Sequence, residues 1–371
     1  MTARPASALE ALARCGVTQP ITVPVPADDA FFLSSKGTLR VALRVLKRRL
    51  ELAANGQAAL GVDRIEPAWR RAVWFHAEAP QIGDALMDLA PRSLLAARGI
   101  TLDLVAPKAT AALFAGDRWL GRVHSDASEI DAGDYDFAIV DSNSGKALAA
   151  KRRYAPRLPW VSVRADYLAY DYQRALLATR RFAELLHVRL DAAAERVHSR
   201  QKLAVDRAVP PPRDKPPRVG LALGGVRAER TYRAWAAVAS ALAGKGVARF
   251  ALLGSDNGAE AASRVKQAVG NADVLDLVGR TDLHGTQQAM ARCALVACAD
   301  GGLLHLACTT TTPLVALFDS SVDPAWRLPL DVAGTALRAT VRDVNAIDAA
   351  EIASRVLAVL ALRSAVPPGP C

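Results

Sequence analysis

Two glycines between an aspartate and a histidine form the group of residues in this chain that is best suited to binding an anion. Asp300, Gly301 and Gly302 follow the short apolar run 294–298, and His305 stands three residues further on. This order predicts a strand, a tight turn and the start of a helix. The backbone N–H groups of such a turn and the positive end of the helix dipole attract a phosphate, and glycine lets it approach the backbone. Glycine-rich turns are common in α/β proteins, so a purely structural role for the turn is an equal alternative.

The segment around this turn resembles the C-terminal motif of the family 9 glycosyltransferases, the heptosyltransferase-like enzymes. Their pattern is close to D-[ST]-G-x-x-H-x-A, followed by Pro, an apolar strand and a loop that contains Pro and Trp. The matching residues are Asp300, Gly301, Gly302, His305, Ala307, Pro313, 315–318, Asp323, Pro324, Trp326 and Pro329. Two positions depart from the pattern. Gly301 stands where Ser or Thr is usual, which removes a hydroxyl that could contact phosphate, and Asp319 stands where Gly is frequent.

Three further elements of the same family pattern occur in the expected order. The segment 82–87 resembles its G-D-x-[LV] turn, 134–141 resembles its Y-D-x-[VA]-[IV]-D strand, and 279–283 resembles its G-x-[TS]-x-L element. The resemblance therefore covers roughly residues 70–360. It implies a GT-B-type α/β fold, in which two Rossmann-like, doubly wound domains face each other across a ligand-binding cleft.

The resemblance also implies a catalytic base. Transfer of a sugar from a nucleotide donor needs a base for the acceptor hydroxyl and stabilisation of the departing diphosphate. Asp84, in the predicted turn after the first N-terminal strand, matches the family's base. The alternative for Asp84 is a structural role as a helix N-cap, which Asp fills well.

The resemblance places the donor site in the C-terminal domain. Arg227 and Arg230 follow the Gly224-Gly225 turn, where the family carries basic phosphate contacts, and their guanidinium groups would bind a diphosphate without a metal. Asp300 would accept hydrogen bonds from ribose or fix its turn. Surface arginines and a histidine satisfied in the core are the alternatives. The full set expected to bind the donor is Gly224, Gly225, Arg227, Arg230, Thr281, Asp300, Gly301, Gly302 and His305.

Length and composition are typical of a two-domain enzyme of the cytoplasm. The 371 residues exceed what one hydrophobic core usually serves, and the 51% hydrophobic content is ample for two. No apolar run is long enough for a transmembrane helix, and the N-terminus lacks the pattern of a signal peptide. The five cysteines include no C-x-x-C pair, and no D-x-D-type cation site stands out. Neither a disulfide, a metal nor a cofactor beyond the nucleotide-sugar co-substrate is therefore predicted.

The positive charge of the chain is concentrated in its N-terminal half. Residues 1–218 carry 33 Lys and Arg against 24 Asp and Glu, whereas residues 219–371 carry 14 against 13. No nucleic-acid-binding motif accompanies this charge, so a phosphorylated glycolipid on an anionic membrane is the favoured partner. Within this half, a leucine stripe is interleaved with basic residues and predicts a basic amphipathic helix: Leu39, Leu43, Leu46 and Leu50, with Arg40, Arg44, Lys47, Arg48 and Arg49. Such a helix docks on a membrane or packs on its own domain, and the pattern does not distinguish the two.

The resemblance and the order of apolar runs together predict four segments. Residues 1–69 form an extension that contains the basic helix, and residues 70–207 form an acceptor-binding Rossmann-like domain that includes a helix over 85–98. Residues 208–217 form a proline-rich linker, because prolines preclude helix and sheet pairing. Residues 218–371 form a nucleotide-sugar-binding Rossmann-like domain. Each domain alternates strands and helices, as parallel sheets require. The strands are expected at 72–75, 102–105, 137–140, 160–163, 219–223, 250–253, 274–277, 294–298 and 314–318.

The resemblance and the charge together predict a cytoplasmic glycosyltransferase that works peripherally at the inner membrane. It is expected to transfer a heptose or related sugar from an ADP-activated donor to a lipopolysaccharide core or similar glycan, by inverting displacement without a metal. Two alternatives stay open. One is a non-catalytic or differently specific GT-B protein of cell-surface glycan assembly; the missing hydroxyl at Gly301 is compatible with it, and the presence of Asp84 argues against it. The other is a nucleic-acid binder, which predicts binding that falls steeply with salt for any sequence.

Overall fold

The computed structural model describes residues 8, 9, 12, 37–77, 81–141, 145–163, 173–205, 218–332 and 334–364. The chain divides into two compact units, which we call the N-terminal unit (Met1–Asp206) and the C-terminal unit (Arg207–Cys371). The predicted proline-rich linker over 208–217 lies outside the described residues.

The N-terminal unit contains a parallel five-stranded sheet with the strand order β3-β2-β1-β4-β5. Its strands are β1 (Arg71–Phe75), β2 (Thr101–Val105), β3 (Val123–His124), β4 (Phe137–Val140) and β5 (Trp160–Ser162). Its helices are α1 (Thr38–Ala54), α2 (Ile82–Asp88), α3 (Arg92–Ala97), α4 (Lys108–Phe114), α5 (Gly145–Tyr154), α6 (Arg174–Leu185) and α7 (Ala192–Ser199). The chain moves from β1 outward to β3 and returns to place β4 on the other side of β1. The β1/β4 boundary is therefore the topological switch point, where such sheets bind ligands.

The C-terminal unit contains a parallel six-stranded sheet with the order β11-β10-β9-β6-β7-β8. Its strands are β6 (Val219–Ala222), β7 (Arg249–Leu253), β8 (Asp273–Asp276), β9 (Leu295–Ala299), β10 (Leu314–Phe318) and β11 (Gly334–Arg338). Its helices are α8 (Trp235–Ala243), α9 (Ala259–Ala268), α10 (Leu283–Ala291), α11 (Gly302–Cys308) and α12 (Ala349–Ser364). Here the switch point lies between β6 and β9.

The central strands of both sheets are nearly continuous apolar runs, because helices cover both faces of a parallel sheet. All five residues of β10 are buried, as are all four of β4. The edge strand β8 alternates between exposed and half-buried residues. All nine strands that the sequence predicts occur within one or two residues of their expected bounds.

One predicted helix is wrong. The sequence predicts a single helix over 85–98, preceded by a turn at Gly83 and Asp84, but the chain forms α2 and α3 with a break between them. The N-cap of α3 is Pro91, whose ring cannot continue α2 and whose fixed φ suits the start of the next helix. As a result, Asp84 lies in the first turn of α2 rather than in a loop.

The helix α1 packs on the N-terminal unit through a face other than its leucine stripe. Val41, Ala42, Val45 and Leu52 are the buried residues of α1. Val45 and Leu52 belong to the same core as Val73 of β1. Among the described residues, no helix is both long enough and apolar enough to span a membrane.

Candidate functional site

The first group of candidate residues lies at the switch point of the N-terminal unit. His76 directly follows β1 and Asp141 directly follows β4, so the two side chains meet where these neighbouring strands end. Asp84 and Asp88 lie one turn apart on α2, and Arg174 is the first residue of α6. We call these five residues the ion network.

Asp84 is held by an arginine that is itself fixed. Arg174 Nη1 lies 2.6 Å from Asp84 Oδ1. The same guanidinium donates from Nε and Nη2 to the two oxygens of the buried Asp88, each at 2.6 Å. Because a bidentate arginine–carboxylate pair has little freedom, Arg174 fixes the orientation of Asp84. The Asp84 side chain is 33% exposed, so it remains open to a substrate. It is not the N-cap of α2, since Gln81 occupies that position.

A buried histidine lies beneath this pair. His76 Nδ1 is 2.6 Å from Asp141 Oδ2, and both side chains are buried. The Trp74 indole donates to the other Asp141 oxygen at 2.5 Å. Burial disfavours protonation of His76, but the charges of Asp141 and Asp88 outweigh it and raise the pKa of His76 above 6.5. When it is protonated, His76 adds a positive charge to that of Arg174 beside the three carboxylates.

Part of the ion network has the composition of a metal site. One ligand atom each from His76, Asp88 and Asp141 lies within 4.8 Å of the others. However, Asp88 already gives both oxygens to Arg174, and His76 is paired with Asp141. A cation would have to displace the guanidinium, so the arrangement is better suited to orienting Asp84 than to holding a metal.

The second group lies at the switch point of the C-terminal unit. The Gly224-Gly225 turn follows β6, and a side chain could not replace either glycine without a clash. A Cβ on Gly224 would meet Asn257 Oδ1 at 2.3 Å, and a Cβ on Gly225 would meet Thr231 Oγ1 at 2.3 Å. Gly224 also has a φ of 84°, which only glycine adopts readily. The backbone therefore requires glycine at Gly224, whereas a Cβ at Gly225 would displace the Thr231 side chain.

Arg230 is held between two carboxylates. Its Nη1 lies 3.1 Å from Asp300 Oδ2 and its Nε lies 3.3 Å from Asp319 Oδ2. Asp300 follows β9 and Asp319 follows β10, so the arginine bridges the ends of two neighbouring strands. Burial disfavours ionisation of Asp319, but hydrogen bonds from Ser321 and the charge of Arg230 outweigh it and lower its pKa. Arg230, which the sequence predicts to bind phosphate, is thus already ion-paired. One of its two partners, Asp319, stands where the family pattern frequently has glycine.

The Asp300-Gly301-Gly302 turn is open. Gly301 and Gly302 are exposed, and a Cβ on Gly302 would meet no atom within 4 Å. Gly301 has extended backbone with φ 171°, which any residue adopts, so the backbone does not require glycine in place of Ser or Thr. His305 lies in α11 behind this turn and is buried.

Two more of the predicted residues lie in loops that follow strands. Arg227 is exposed at the N-cap of a short 3₁₀ turn, Ala228–Arg230, two residues after the Gly224-Gly225 turn. Thr281 lies between β8 and α10, and its hydroxyl lies 2.8 Å from that of Thr286. In the same loop, the Gly279 amide donates to the Gly254 carbonyl, which follows β7. The order of the strands brings Gly224, Gly225 and Arg230 to the same switch point as Asp300, Gly301, Gly302 and His305.

Sequence reasoning missed four members of the ion network: His76, Asp88, Asp141 and Arg174. A signal was present for two of them, Asp88 and Asp141. Asp84 and Asp88 have the i,i+4 spacing of one helix face, and Asp141 ends the matched strand motif at the carboxyl end of a predicted strand. Nothing in the sequence pairs Arg174 with Asp84, because 90 residues separate them and only the tertiary fold brings α6 against α2.

Each unit is a doubly wound α/β domain with polar groups at its switch point, and comparison with known proteins identifies the family. The model of glycosyltransferase family 9 (heptosyltransferase) matches residues 126–350, more than half of the chain. The chain belongs to this family and is a glycosyltransferase. The family resemblance read from the sequence is confirmed.

Solved structures agree on the fold over most of the chain. A family 9 glycosyltransferase from Veillonella parvula superposes with a TM-score of 0.61 at 14% identity, covering 81% of this chain and 99% of that one. The E. coli heptosyltransferase WaaC with ADP gives 0.59 at 18% identity, covering 80% and 99%. The E. coli ADP-heptose lps heptosyltransferase II gives 0.55 at 20% identity, covering 80% and 100%. A search of curated protein sequences gave no match. The predicted GT-B-type fold of two Rossmann-like domains is confirmed.

Proposed function

We propose that this enzyme transfers a heptose or related sugar from an ADP-activated donor to a lipopolysaccharide core or a similar phosphorylated glycan. The observation that carries the proposal is Asp84, a partly exposed carboxylate fixed by Arg174 at a switch point. Family membership supports the reaction class, and two of the similar solved proteins are heptosyltransferases, one of them with ADP. A glycolipid acceptor would require the enzyme to work at the cytoplasmic face of the inner membrane.

In the proposed reaction, Asp84 accepts the proton of an acceptor hydroxyl. The hydroxyl oxygen forms a bond to the anomeric carbon while the bond from that carbon to the donor diphosphate breaks, which inverts the anomeric centre. ADP leaves with the bonding electron pair. Arg174 holds Oδ1 of Asp84, so Oδ2 is the oxygen expected to take the proton. No step in this displacement requires a metal or a bound cofactor, because protein groups can offset the charge of the diphosphate.

The leaving diphosphate would lie at the switch point of the C-terminal unit. The exposed amides of Gly301 and Gly302 and the guanidinium of Arg227 are open to it. Arg230 would also attract the diphosphate, with a positive charge that Asp300 and Asp319 partly offset. His305, which is buried in the helix that follows this turn, would lie near the phosphates.

A calorimetric comparison of ADP, UDP, GDP and CMP on the intact protein tests the donor assignment. Preferential binding of ADP is expected, with adenosine much weaker because it lacks the diphosphate. Absence of binding by all four nucleotides would refute the proposal. A preference for another nucleotide would keep the family and replace the donor.

One observation favours a second candidate, a family member that binds nucleotide without turnover. Asp319 offsets part of the positive charge of Arg230, and Gly301 lacks the usual hydroxyl. The donor site therefore has less positive charge and one hydrogen-bond donor fewer for the diphosphate than the family pattern provides. Nucleotide binding without transfer to any deacylated lipopolysaccharide acceptor would support this candidate.

A further inference from the structure

The helix α1 presents an exposed apolar surface that its own unit does not use. Its four stripe leucines are exposed: Leu39 (57%), Leu43 (55%), Leu46 (42%) and Leu50 (61%). The valine face of the same helix is buried in the unit core. Exposed leucines occur singly on most proteins, but four in one row are a surface. We call it the leucine stripe.

Basic side chains border the leucine stripe. In a helix with 3.6 residues per turn, Arg40 and Lys47 project beside the leucines on one flank, and Arg49 projects on the other. Arg40, Arg44, Lys47 and Arg49 are exposed. Glu51 is the single acidic residue of α1 and pairs with Arg48 at 3.0 Å, so α1 carries a net charge of +4.

A second group of basic residues lies on the other side of α1. Arg48 and Arg152 of α5 line the same surface pocket. Lys146, Arg152 and Arg153 of α5 are exposed as well. Because Arg48 projects from the side of α1 opposite the leucine stripe, the cations that border the stripe are those of α1 itself.

We propose that the leucine stripe is a docking surface for an anionic lipid bilayer. The four leucines span about 17 Å along one convex helix face, a shape suited to shallow insertion at the headgroup boundary. The flanking cations complement anionic headgroups. This inference rests on residues other than the candidate catalytic residues, and binding to a bilayer does not depend on the identity of the sugar donor.

Charge argues against the two other occupants of such a surface. A second copy would bring two helices of charge +4 together, and like charges repel. Residues 1–36 carry three basic and three acidic residues, so that segment has no net negative charge to complement α1. An anionic bilayer supplies both the apolar layer and the opposite charge.

Vesicle co-sedimentation of the full-length protein tests this inference. Vesicles of phosphatidylcholine alone are compared with an equimolar mixture of phosphatidylcholine and phosphatidylglycerol. The wild type is expected to sediment with the mixed vesicles and not with phosphatidylcholine alone. Replacing Arg40, Arg44, Lys47 and Arg49 with Gln should weaken binding roughly 10²–10³-fold, since each cation near anionic lipid contributes about fivefold.

The leucines are tested with a matched control. Gln at Leu39, Leu43, Leu46 and Leu50 should weaken binding at least about tenfold while the melting curve stays unchanged, because these side chains are already exposed. The control variant carries Gln at four apolar residues of comparable exposure elsewhere: Val197, Leu330, Val341 and Leu362. It should bind like the wild type.

Three results would overturn the inference. The first is that the wild type does not bind the mixed vesicles. The second is that the leucine variant sediments with them as the wild type does. The third is that the wild type is a dimer without lipid while the leucine variant is a monomer, which would show that the leucine stripe binds a second copy of the chain. Failure of the donor assignment leaves all of these readouts intact, because none of them measures sugar transfer.

Discussion

The two units hold their candidate functional groups by different physical means. In the N-terminal unit, side chains fix one another: Arg174 joins Asp84 to the buried Asp88, and His76 is paired with Asp141. In the C-terminal unit, the exposed backbone of Gly301 and Gly302 is the open feature, and Arg230 is bridged to two carboxylates. The N-terminal arrangement is suited to orienting a base, and the C-terminal arrangement is suited to receiving an anion. The following predictions test this contrast.

The largest expected effect is on the base. Asp84→Asn should lower turnover by about 10²–10⁴-fold, because an amide cannot accept the acceptor proton. The affinity for ADP should stay within a few-fold of the wild type, since the residue belongs to the other unit. Steady-state kinetics and calorimetry measure the two quantities. A variant that keeps half of the wild-type turnover would remove Asp84 from the mechanism.

The next effect concerns Arg174. Arg174→Met removes two charge-assisted hydrogen bonds from the buried Asp88 carboxylate and should lower the free energy of unfolding by about 3–5 kcal/mol. It should also lower turnover more than it changes KM, because Asp84 loses its orientation. Arg180→Met is the control, since Arg180 makes a similar two-contact pair with Glu195 at a more exposed position and should cost about 1 kcal/mol or less. Equal destabilisation by the two variants would argue against the special role of Arg174.

In the C-terminal unit, a smaller effect of opposite sign is expected. Asp319→Asn should tighten ADP binding by about 1 kcal/mol, roughly fivefold, because a negative charge beside Arg230 is removed. Binding of adenosine should not change. Asp323→Asn is the control, since Asp323 caps a short turn by accepting from the Ala325 amide. An equal change for ADP and adenosine would show that Asp319 shapes the fold rather than the phosphate contact.

The smallest expected effect is the pH dependence of the His76 pair. The pKa of His76 is raised, so its protonated form stabilises the folded state fully below the ordinary value of 6.5, and this stabilisation is lost as the pH rises through the raised value. The difference in unfolding free energy between wild type and His76→Gln should therefore shrink above pH 6.5. Denaturant titrations at several pH values measure it. A difference that is constant with pH would show that folding does not shift the pKa of His76.

Local pattern was enough to predict most of the fold. Buried parallel strands are short apolar runs between turn residues, and β4, β9 and β10 show this clearly. The edge strands β3 and β11 escaped prediction. The strand β3 has only two residues, and β11 contains half-buried and exposed positions, so neither has the apolar signal of a central strand.

The sequence by itself determined the family, the two-sheet architecture and the glycine turns after β6 and β9, because motifs and apolar periodicity are local properties. Only the tertiary structure decided which charges meet. Arg174 reaches Asp84 across 90 residues, and Arg230 reaches Asp319 across 89. It also decided that the valines of α1 enter the core while the leucines stay exposed. Both stripes are apolar, and the choice between them depends on the surface against which the helix packs, which the helix sequence does not contain.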